Sequence, residues 1–283
     1  MTIHERVAAG RKRLRGAGIP PDEADLDGRL LAEHVLGWTP ERLLVDGNRR
    51  ETREFAARFD VLVERRARRE PIAYILGRQE FWSLDFEVAP AVLIPRPETE
   101  LVVESALSLL PAGSAAEVAD ICTGSGCIAV ALARERPRAH IVATELSNAA
   151  LDVARRNASR HGVAGRVTFV RTDLFGYAEG PFDLVVSNPP YVPEADRESL
   201  QPEVRDHEPA LALFAGPDGL HIVRRLVQEA PARLRAGGSL IFEFGFGQAD
   251  AVEQLISQST ALTMVDLRPD LQGIPRVAIA RRA

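Results

Sequence analysis

Val118-Ala119-Asp120-Ile121 runs into Cys122-Thr123-Gly124-Ser125-Gly126-Cys127, and the chain then resumes as Ile128-Ala129-Val130-Ala131-Leu132. A short apolar run that stops at a glycine cluster reads as a buried strand, and the longer apolar stretch behind it reads as a helix. Strand, tight turn and helix open a βαβ unit. The alternation continues, with strands expected at 140–144, 167–171, 182–187 and 239–244 and helices near 128–134, 149–160 and 220–234. Two further strands, near 262–267 and 276–280, extend one edge. The pattern predicts an α/β domain with a mostly parallel seven-stranded sheet and helices on both faces.

In such a sheet, ligands bind outside the carboxyl ends of the strands. The loop 122–126 lies at one of those ends. Its glycines let the backbone approach a ligand without Cβ clashes, and the helix N-terminus behind it favours an anionic group. Any nucleotide-like cofactor satisfies that much. Glu145 then ends the second strand, at the spacing used to accept hydrogen bonds from a ribose diol. Asp173 ends the next strand beside Leu174 and Phe175, so its carboxylate can accept from an adenine amino group while the apolar pair covers the ring. A dinucleotide fingerprint needs a third glycine after Gly126, but Cys127-Ile128-Ala129 stands there. S-adenosylmethionine is favoured over NAD, because it needs one glycine loop for its carboxylate and two acids for its adenosine. Cys122, Thr123, Gly124, Ser125, Gly126, Glu145, Asp173, Leu174 and Asn188 are the expected cofactor contacts.

The apolar run Phe182-Asp183-Leu184-Val185-Val186-Ser187 ends in Asn188-Pro189-Pro190-Tyr191. That end supplies a side-chain carbonyl, two residues without a backbone N–H, and an aromatic face. The set suits a planar group bearing an NH2. Asn188 Oδ1 can accept one hydrogen and the carbonyl of Pro189 the other, and the two prolines hold those acceptors rigid. Tyr191 is expected to stack on the planar group or to close the pocket over it. Asn188, Pro189 and Tyr191 are the candidate catalytic residues, and Pro190 joins them in binding substrate.

The front of the chain differs. Leu26, Leu30, Leu31, His34 and Val35 recur at helical spacing, as do Phe55, Phe59, Leu62 and Val63, which predicts a helical bundle over 1–75. Alternating apolar and aromatic residues over 77–88 predict a hairpin, placed in a linker at 76–95 ahead of the sheet domain at 96–283. A helix is expected after Pro95-Arg96-Pro97-Glu98-Thr99-Glu100. Arg96 and Thr99 either line the cleft or serve as a surface ion pair and a helix cap. Segment 192–218 reads as a lid over the substrate loop or as a solvated acidic loop.

Hydrophobic content of 46% and charged content of 27% fit an ordinary globular protein. No run of eighteen apolar residues occurs and the first residues lack a signal core, so no membrane association and a cytoplasmic location are expected. Residues 1–80 carry 16 Lys+Arg against 14 Asp+Glu, a balance of +2, and the remainder carries 19 against 26, a balance of −7. The front is suited to an anionic partner. The acidic site domain argues against a nucleic acid as direct substrate. Both cysteines, Cys122 and Cys127, lie in one loop with no nearby His, which implies neither a metal site nor a disulfide.

The order of glycine loop, acidic strand end and Asn-Pro-Pro-Tyr resembles class I S-adenosylmethionine-dependent methyltransferases acting on amide or amino nitrogen. Glu80-Phe81-Trp82-Ser83-Leu84, Leu93-Ile94-Pro95-Arg96-Pro97-Glu98-Thr99-Glu100 and Ser187-Asn188-Pro189-Pro190-Tyr191 look more closely like the release factor glutamine methyltransferases. The resemblance covers nearly the whole chain. It implies a Rossmann-like methyltransferase domain preceded by a helical domain that recognises release factors. It also implies methylation of the side-chain amide of the glutamine in a Gly-Gly-Gln motif, with S-adenosylhomocysteine as product. By position the cofactor would touch residues 122–126, Glu145, Leu174 and Asn188, while residues 188–191 hold the glutamine; a monomer is expected. The chain departs from many relatives in having Cys122 in place of glycine, which a small residue with negative φ accommodates, and from some in having Leu174 in place of tryptophan. The rival readings are a glutamine methyltransferase of a ribosomal protein, an adenine-N6 methyltransferase of nucleic acid, which would extrude its base, and a non-catalytic adaptor.

Overall fold

The computed structural model describes residues 1–283, which form two compact units: Met1–Gly77 with Gln201–His207, and Arg78–Leu200 with Glu208–Ala283. The first unit is built from α1 (Ile3–Gly16), α2 (Pro21–Leu36), α3 (Pro40–Asp46), α4 (Arg53–Ala67) and α5 (Ile72–Leu76). Its helix starts are written locally. Thr2 and Glu5 form a capping box on α1, Thr39 and Thr52 accept from amides in the first turns of α3 and α4, and Pro21 and Pro40 take positions that need no amide hydrogen. Leu14, Leu31, Phe55, Phe59 and Val63 fill the core between the helices. Inside this unit the buried Arg66 bonds Asp27 and Glu203, each at 2.7 Å. Arg69 holds the other oxygen of Glu203. A buried guanidinium without such carboxylates would be strongly destabilising, which accounts for Gln201–His207 grouping with the helices.

The second unit opens with a hairpin of β1 (Arg78–Phe81) and β2 (Leu84–Glu87). Its two-residue turn, Trp82-Ser83, has φ of 54° and 56°, a geometry usually taken by Asn and Gly. Hydrogen bonds hold it: Trp82 N donates to Glu100 Oε1 at 2.7 Å and Ser83 N to Glu80 Oε1 at 2.6 Å. Phe81 and Phe86 are buried in the same core as Val102 and Val103. The hairpin is thus packed into the sheet-bearing unit, where the sequence predicts a linker over 76–95. One 3-10 turn, Pro97–Thr99, leads into α6 (Glu100–Leu109).

There follow β3 (Glu117–Ile121), α7 (Cys127–Glu135), β4 (His140–Glu145), α8 (Asn148–Arg160), β5 (Val167–Arg171), β6 (Phe182–Ser187) and the short α9 (Pro202–His207) of the helical unit. The chain ends with α10 (His221–Glu229), β7 (Leu234–Glu243), α11 (Ala249–Ser257), β8 (Leu262–Pro269) and β9 (Pro275–Arg282). The seven-stranded sheet has the order β5-β4-β3-β6-β7-β9-β8. Strands from β5 across to β7 are parallel, and β9 runs antiparallel between β7 and β8. Successive residues of the central strands face opposite cores: Val118, Leu184 and Val186 on one side, Ala119, Ile121 and Val185 on the other. Burial on both faces is why these strands read as unbroken apolar runs.

Two expectations are corrected. The helix predicted over 220–234 stops at Glu229, because Pro231 sits in a separate turn, Ala230–Ala232, and β7 already begins at Leu234. Helix α11 occupies a stretch where no helix is predicted, held by buried Val252 and Ile256 at a spacing of one helical turn. The chain order reverses at β3: β4 and β5 lie on one side, β6 and β7 on the other. A crevice at the carboxyl ends of the strands belongs at that switch point.

Candidate active site

A cavity of about 180 Å³ opens there. Its wall includes Gly124, Glu145, Asp173, Leu174, Asn188 and Pro190, with Thr99 on the side of α6. All of its lining belongs to the sheet-bearing unit.

The glycine loop is shaped by backbone. Gly124 and Gly126 have φ of 54° and 80°, and a Cβ on Gly126 would stand 3.0 Å from that of Ala154, so only glycine lets α7 approach α8 this closely. Cys122 also lies in left-handed space at φ 62°, which corrects the expectation of a negative φ there. Asp120 underlies the loop. Its Oδ2 accepts from Thr123 Oγ1 at 2.6 Å and from Ala129 N at 3.2 Å, and complete burial raises its carboxyl to about 7. Burial pushes the Cys127 thiol up to about 12 and the Cys122 thiol up as well, so both are protonated packing groups. No set of three His, Cys, Asp or Glu side chains is placed to hold a metal ion.

Glu145 ends β4 with its oxygens held by backbone amides. Oε1 accepts from Leu146 N at 2.8 Å and Ser147 N at 3.0 Å, and Oε2 accepts from Gly124 N at 3.1 Å. The fixed carboxylate stands in the cavity wall, where it can take a diol. Asp173 is exposed at the rim, and both its oxygens face Arg225 Nη1, at 3.1 and 3.0 Å. Leu174 is buried in the wall with φ 47°. Cys122 to Ser125, Glu145, Asp173, Leu174 and Asn188 are therefore brought to one cavity, as a nucleoside with a charged tail requires, whereas Gly126 packs against α8 outside the wall.

At the end of β6, Ser187 Oγ donates to Ile121 O at 2.7 Å and locks the strand to β3. Asn188 Nδ2 donates to Thr99 Oγ1 at 2.9 Å, and Thr99 Oγ1 donates to Glu243 Oε2 at 2.7 Å. Tyr191 OH donates to the other oxygen of Glu243 at 2.9 Å. Asn188 Oδ1 is buried and has no partner in the protein. An orphaned acceptor in a cavity wall is costly unless a ligand supplies its donor. The charge of Glu243, then burial, holds the Tyr191 hydroxyl well above its usual range, so it stays a donor. Burial pushes the Glu243 carboxyl up while Thr99 and Tyr191 pull it down. Tyr191 does not close the pocket; with its hydroxyl on Glu243, it and the buried Pro189 lie outside the wall that Pro190 forms.

Thr99 lines the cavity and makes no side-chain cap on α6. Arg96 is outside the wall and pairs with Glu208, whose Oε2 also accepts from Ile94 N at 3.1 Å. Of the segment 192–218, Pro209, Leu211 and Phe214 form cavity wall, and Val192 bridges Phe214 in strand-like pairing. Sequence reasoning missed Glu243 and Gln248. Glu243 had a signal: it is the one acid inside Leu240-Ile241-Phe242-Glu243-Phe244, where an unpaired charge has no place.

Comparison with known proteins agrees with both units. A family model described as PrmC N-terminal domain matches residues 5–77, and one described as Methyltransferase small domain matches residues 99–203. The chain is 47% identical to a release factor glutamine methyltransferase of Geobacter sulfurreducens over 92% of this chain and 90% of that one. It is 44% identical to one of Bradyrhizobium diazoefficiens over 95% of this chain and 91% of that one. A methyltransferase structure from Pyrococcus furiosus shares the fold at TM-score 0.54 and 19% identity, over 77% of this chain and 98% of that one.

Proposed function

This chain belongs to the release factor glutamine methyltransferase family, and we propose that its cavity sets the sulfonium of S-adenosylmethionine and the glutamine amide of a release factor side by side at Asn188. The enzyme is an S-adenosylmethionine-dependent methyltransferase acting on the side-chain nitrogen of that glutamine. The unpartnered, buried Oδ1 of Asn188 carries the assignment of the site, because it asks for a hydrogen-bond donor where the substrate NH2 must lie. The residues present also fit the cofactor: a glycine loop at the N-terminus of α7 for its carboxylate, Glu145 for its ribose, and Asp173 with Leu174 for its adenine. Bound there, the cofactor supplies a methyl group on a positive sulfur and departs as S-adenosylhomocysteine.

The amide nitrogen is a poor nucleophile because its lone pair is delocalised. Position must therefore do most of the work. Alignment of two reactants contributes roughly 7 to 11 kcal/mol, against about 1.5 to 3 for one hydrogen bond to a charged group. Asn188 Oδ1 accepts one hydrogen and orients the nitrogen. As the nitrogen gains a methyl group it becomes positive, so this acceptor binds the transition state more tightly than the ground state. No strong base is needed, since the methylated amide nitrogen is acidic enough to release its proton to water. Residues 1–75 fit recognition of the release factor, supported by the family model on that span and by its +2 balance of charge. No helix is long and apolar enough to cross a membrane, and work as a monomer in the cytoplasm is part of the reading.

Incubation with methyl-labelled S-adenosylmethionine and separate pools of release factor, ribosomal protein and DNA tests the assignment. Label is expected in the release factor at a glutamine of Gly-Gly-Gln. Label in DNA alone overturns the reading, and label in ribosomal protein alone moves the substrate.

A further inference from the structure

An asparagine side chain has two faces that differ by a half-turn: Oδ1 accepts and Nδ2 donates. Only one face serves a substrate NH2. Turned the other way, Asn188 would set donors against donors and repel the group it must hold. The choice of face is built into the structure behind it. Thr99 has a single hydroxyl hydrogen, and that hydrogen lies on Glu243 Oε2 at 2.7 Å, since a carboxylate can only accept. The oxygen of Thr99 is left to accept, so the face of Asn188 that meets it, at 2.9 Å, is the nitrogen. Glu243 itself is fixed. It is 1% exposed, its second oxygen is held by Tyr191 OH at 2.9 Å, and Tyr191 is held in turn by Gln248 Nε2 on its carbonyl at 2.9 Å. Glu243 does not line the cavity.

We propose that Glu243, acting through the hydroxyl of Thr99, is the positioning residue that turns Asn188 Oδ1 toward the substrate amide. The direction of hydrogen bonding runs one way, from Asn188 to Thr99 to Glu243, and ends on an acid both of whose oxygens accept, one from Thr99 and one from Tyr191. The same carboxylate holds Tyr191, so one buried acid at the end of β7 fixes both polar ends of Asn188-Pro189-Pro190-Tyr191.

The inference rests on the reading that Asn188 accepts from the glutamine amide, and Asn188→Ala separates the two. Steady-state kinetics with full-length release factor, calorimetry with S-adenosylmethionine and thermal unfolding are to be measured on Thr99→Val, Thr99→Ser, Glu243→Gln and Asn188→Ala. Thr99→Val and Glu243→Gln are expected to lower kcat by about 10- to 100-fold, less than the loss of a group that touches substrate directly. KM for the release factor and Kd for the cofactor are expected within about threefold of the parent, a split that general loosening of the site would not give. Thr99→Ser keeps the hydroxyl and is expected to keep kcat within about threefold. Should Thr99→Val fail to fold, Glu243→Gln carries the test by the same criteria. A kcat within about twofold of the parent in the folded variants, or a cofactor Kd weakened as much as kcat falls, overturns the proposal while Asn188→Ala is still inactive. Near-normal turnover of Asn188→Ala overturns the reading beneath it.

Discussion

The ends of β3 and β6 are neighbours in the sheet, with Ile121 paired to Ser187, yet they are built on opposite principles. At β3 the ligand-facing surface is backbone: left-handed turns at Cys122, Gly124 and Gly126, with Asp120 pinning the loop from below. At β6 it is a side chain, Asn188, whose orientation depends on Thr99 from before α6 and on Glu243 from β7, the acid that also holds Tyr191 behind the wall. A backbone cradle tolerates different side chains as long as its dihedral angles survive. A relay of hydroxyl, amide and carboxylate does not, because removing one member changes which atoms the others present. Substitutions at the two ends should therefore fail differently.

The largest effect is expected at β6. Asn188→Ala should lower kcat by about 10²- to 10³-fold, the loss typical of removing one preorganised partner of a developing charge, with cofactor Kd within about threefold. If turnover and cofactor affinity fall together, the two ends are one site and the contrast breaks. Next is Glu145→Ala, which removes the carboxylate assigned to the ribose. A loss of one hydrogen bond to a charged group predicts cofactor binding weaker by about 10- to 100-fold by calorimetry, with kcat at saturating cofactor little changed. An unchanged Kd would remove Glu145 from the cofactor site.

Asp120 tests the support under the β3 loop. Burial raises its carboxyl from 3.8 to about 7 in the fold. The unfolded chain gives up this proton near pH 3.8, whereas the fold keeps it to about pH 7, so its contribution is full below the lower value and is lost as pH rises to the upper one. Asp120→Asn should flatten the fall in stability between those limits, by about 1.4 kcal/mol for each unit of the rise. Urea unfolding across that range reads the difference, and parallel curves for parent and variant would show that the group titrates normally.

The same contrast explains what could be read in the sequence. The β3 loop is local: strand, glycines and helix are contiguous, so its place, its ligand class and the sheet around it were legible from Val118 to Leu132. Glu145 and Asn188 were legible because each is a polar residue set at the end of an apolar run. Thr99 was legible as a cleft residue but not as the link between Asn188 and Glu243, and the roles of Glu243 and Gln248 were not legible, since each depends on a partner brought from a distant element. Tyr191 shows the limit most clearly. Its aromatic ring suggested a lid over the substrate, but the acid that claims its hydroxyl lies on β7 and cannot be paired with it by spacing. Helix α11 was missed although Ala249, Val252, Leu255 and Ile256 recur at helical spacing; the segment is only nine residues long, too short for that period to stand out. The hairpin turn was read as a hairpin, but its Trp82-Ser83 conformation relies on Glu80 and on Glu100 of α6.

The smallest effect, and the sharpest test of a backbone cradle, is at Cys122. An L-residue held at φ 62° costs about 1–2 kcal/mol, which glycine avoids. Glycine in turn loses about 0.5–1 kcal/mol through the greater freedom of its unfolded state, and the thiol's packing goes with it. The terms nearly cancel, so Cys122→Gly should change stability by less than about 1 kcal/mol in urea unfolding. Cofactor Kd should stay within about threefold, because the amide and carbonyl of residue 122 remain where the turn puts them. A Kd weakened tenfold or more would mean that the cysteine side chain, and not the turn, holds the ligand. In that case the end of β3 would work by side chain as the end of β6 does, and the tolerance inferred from its geometry would be lost.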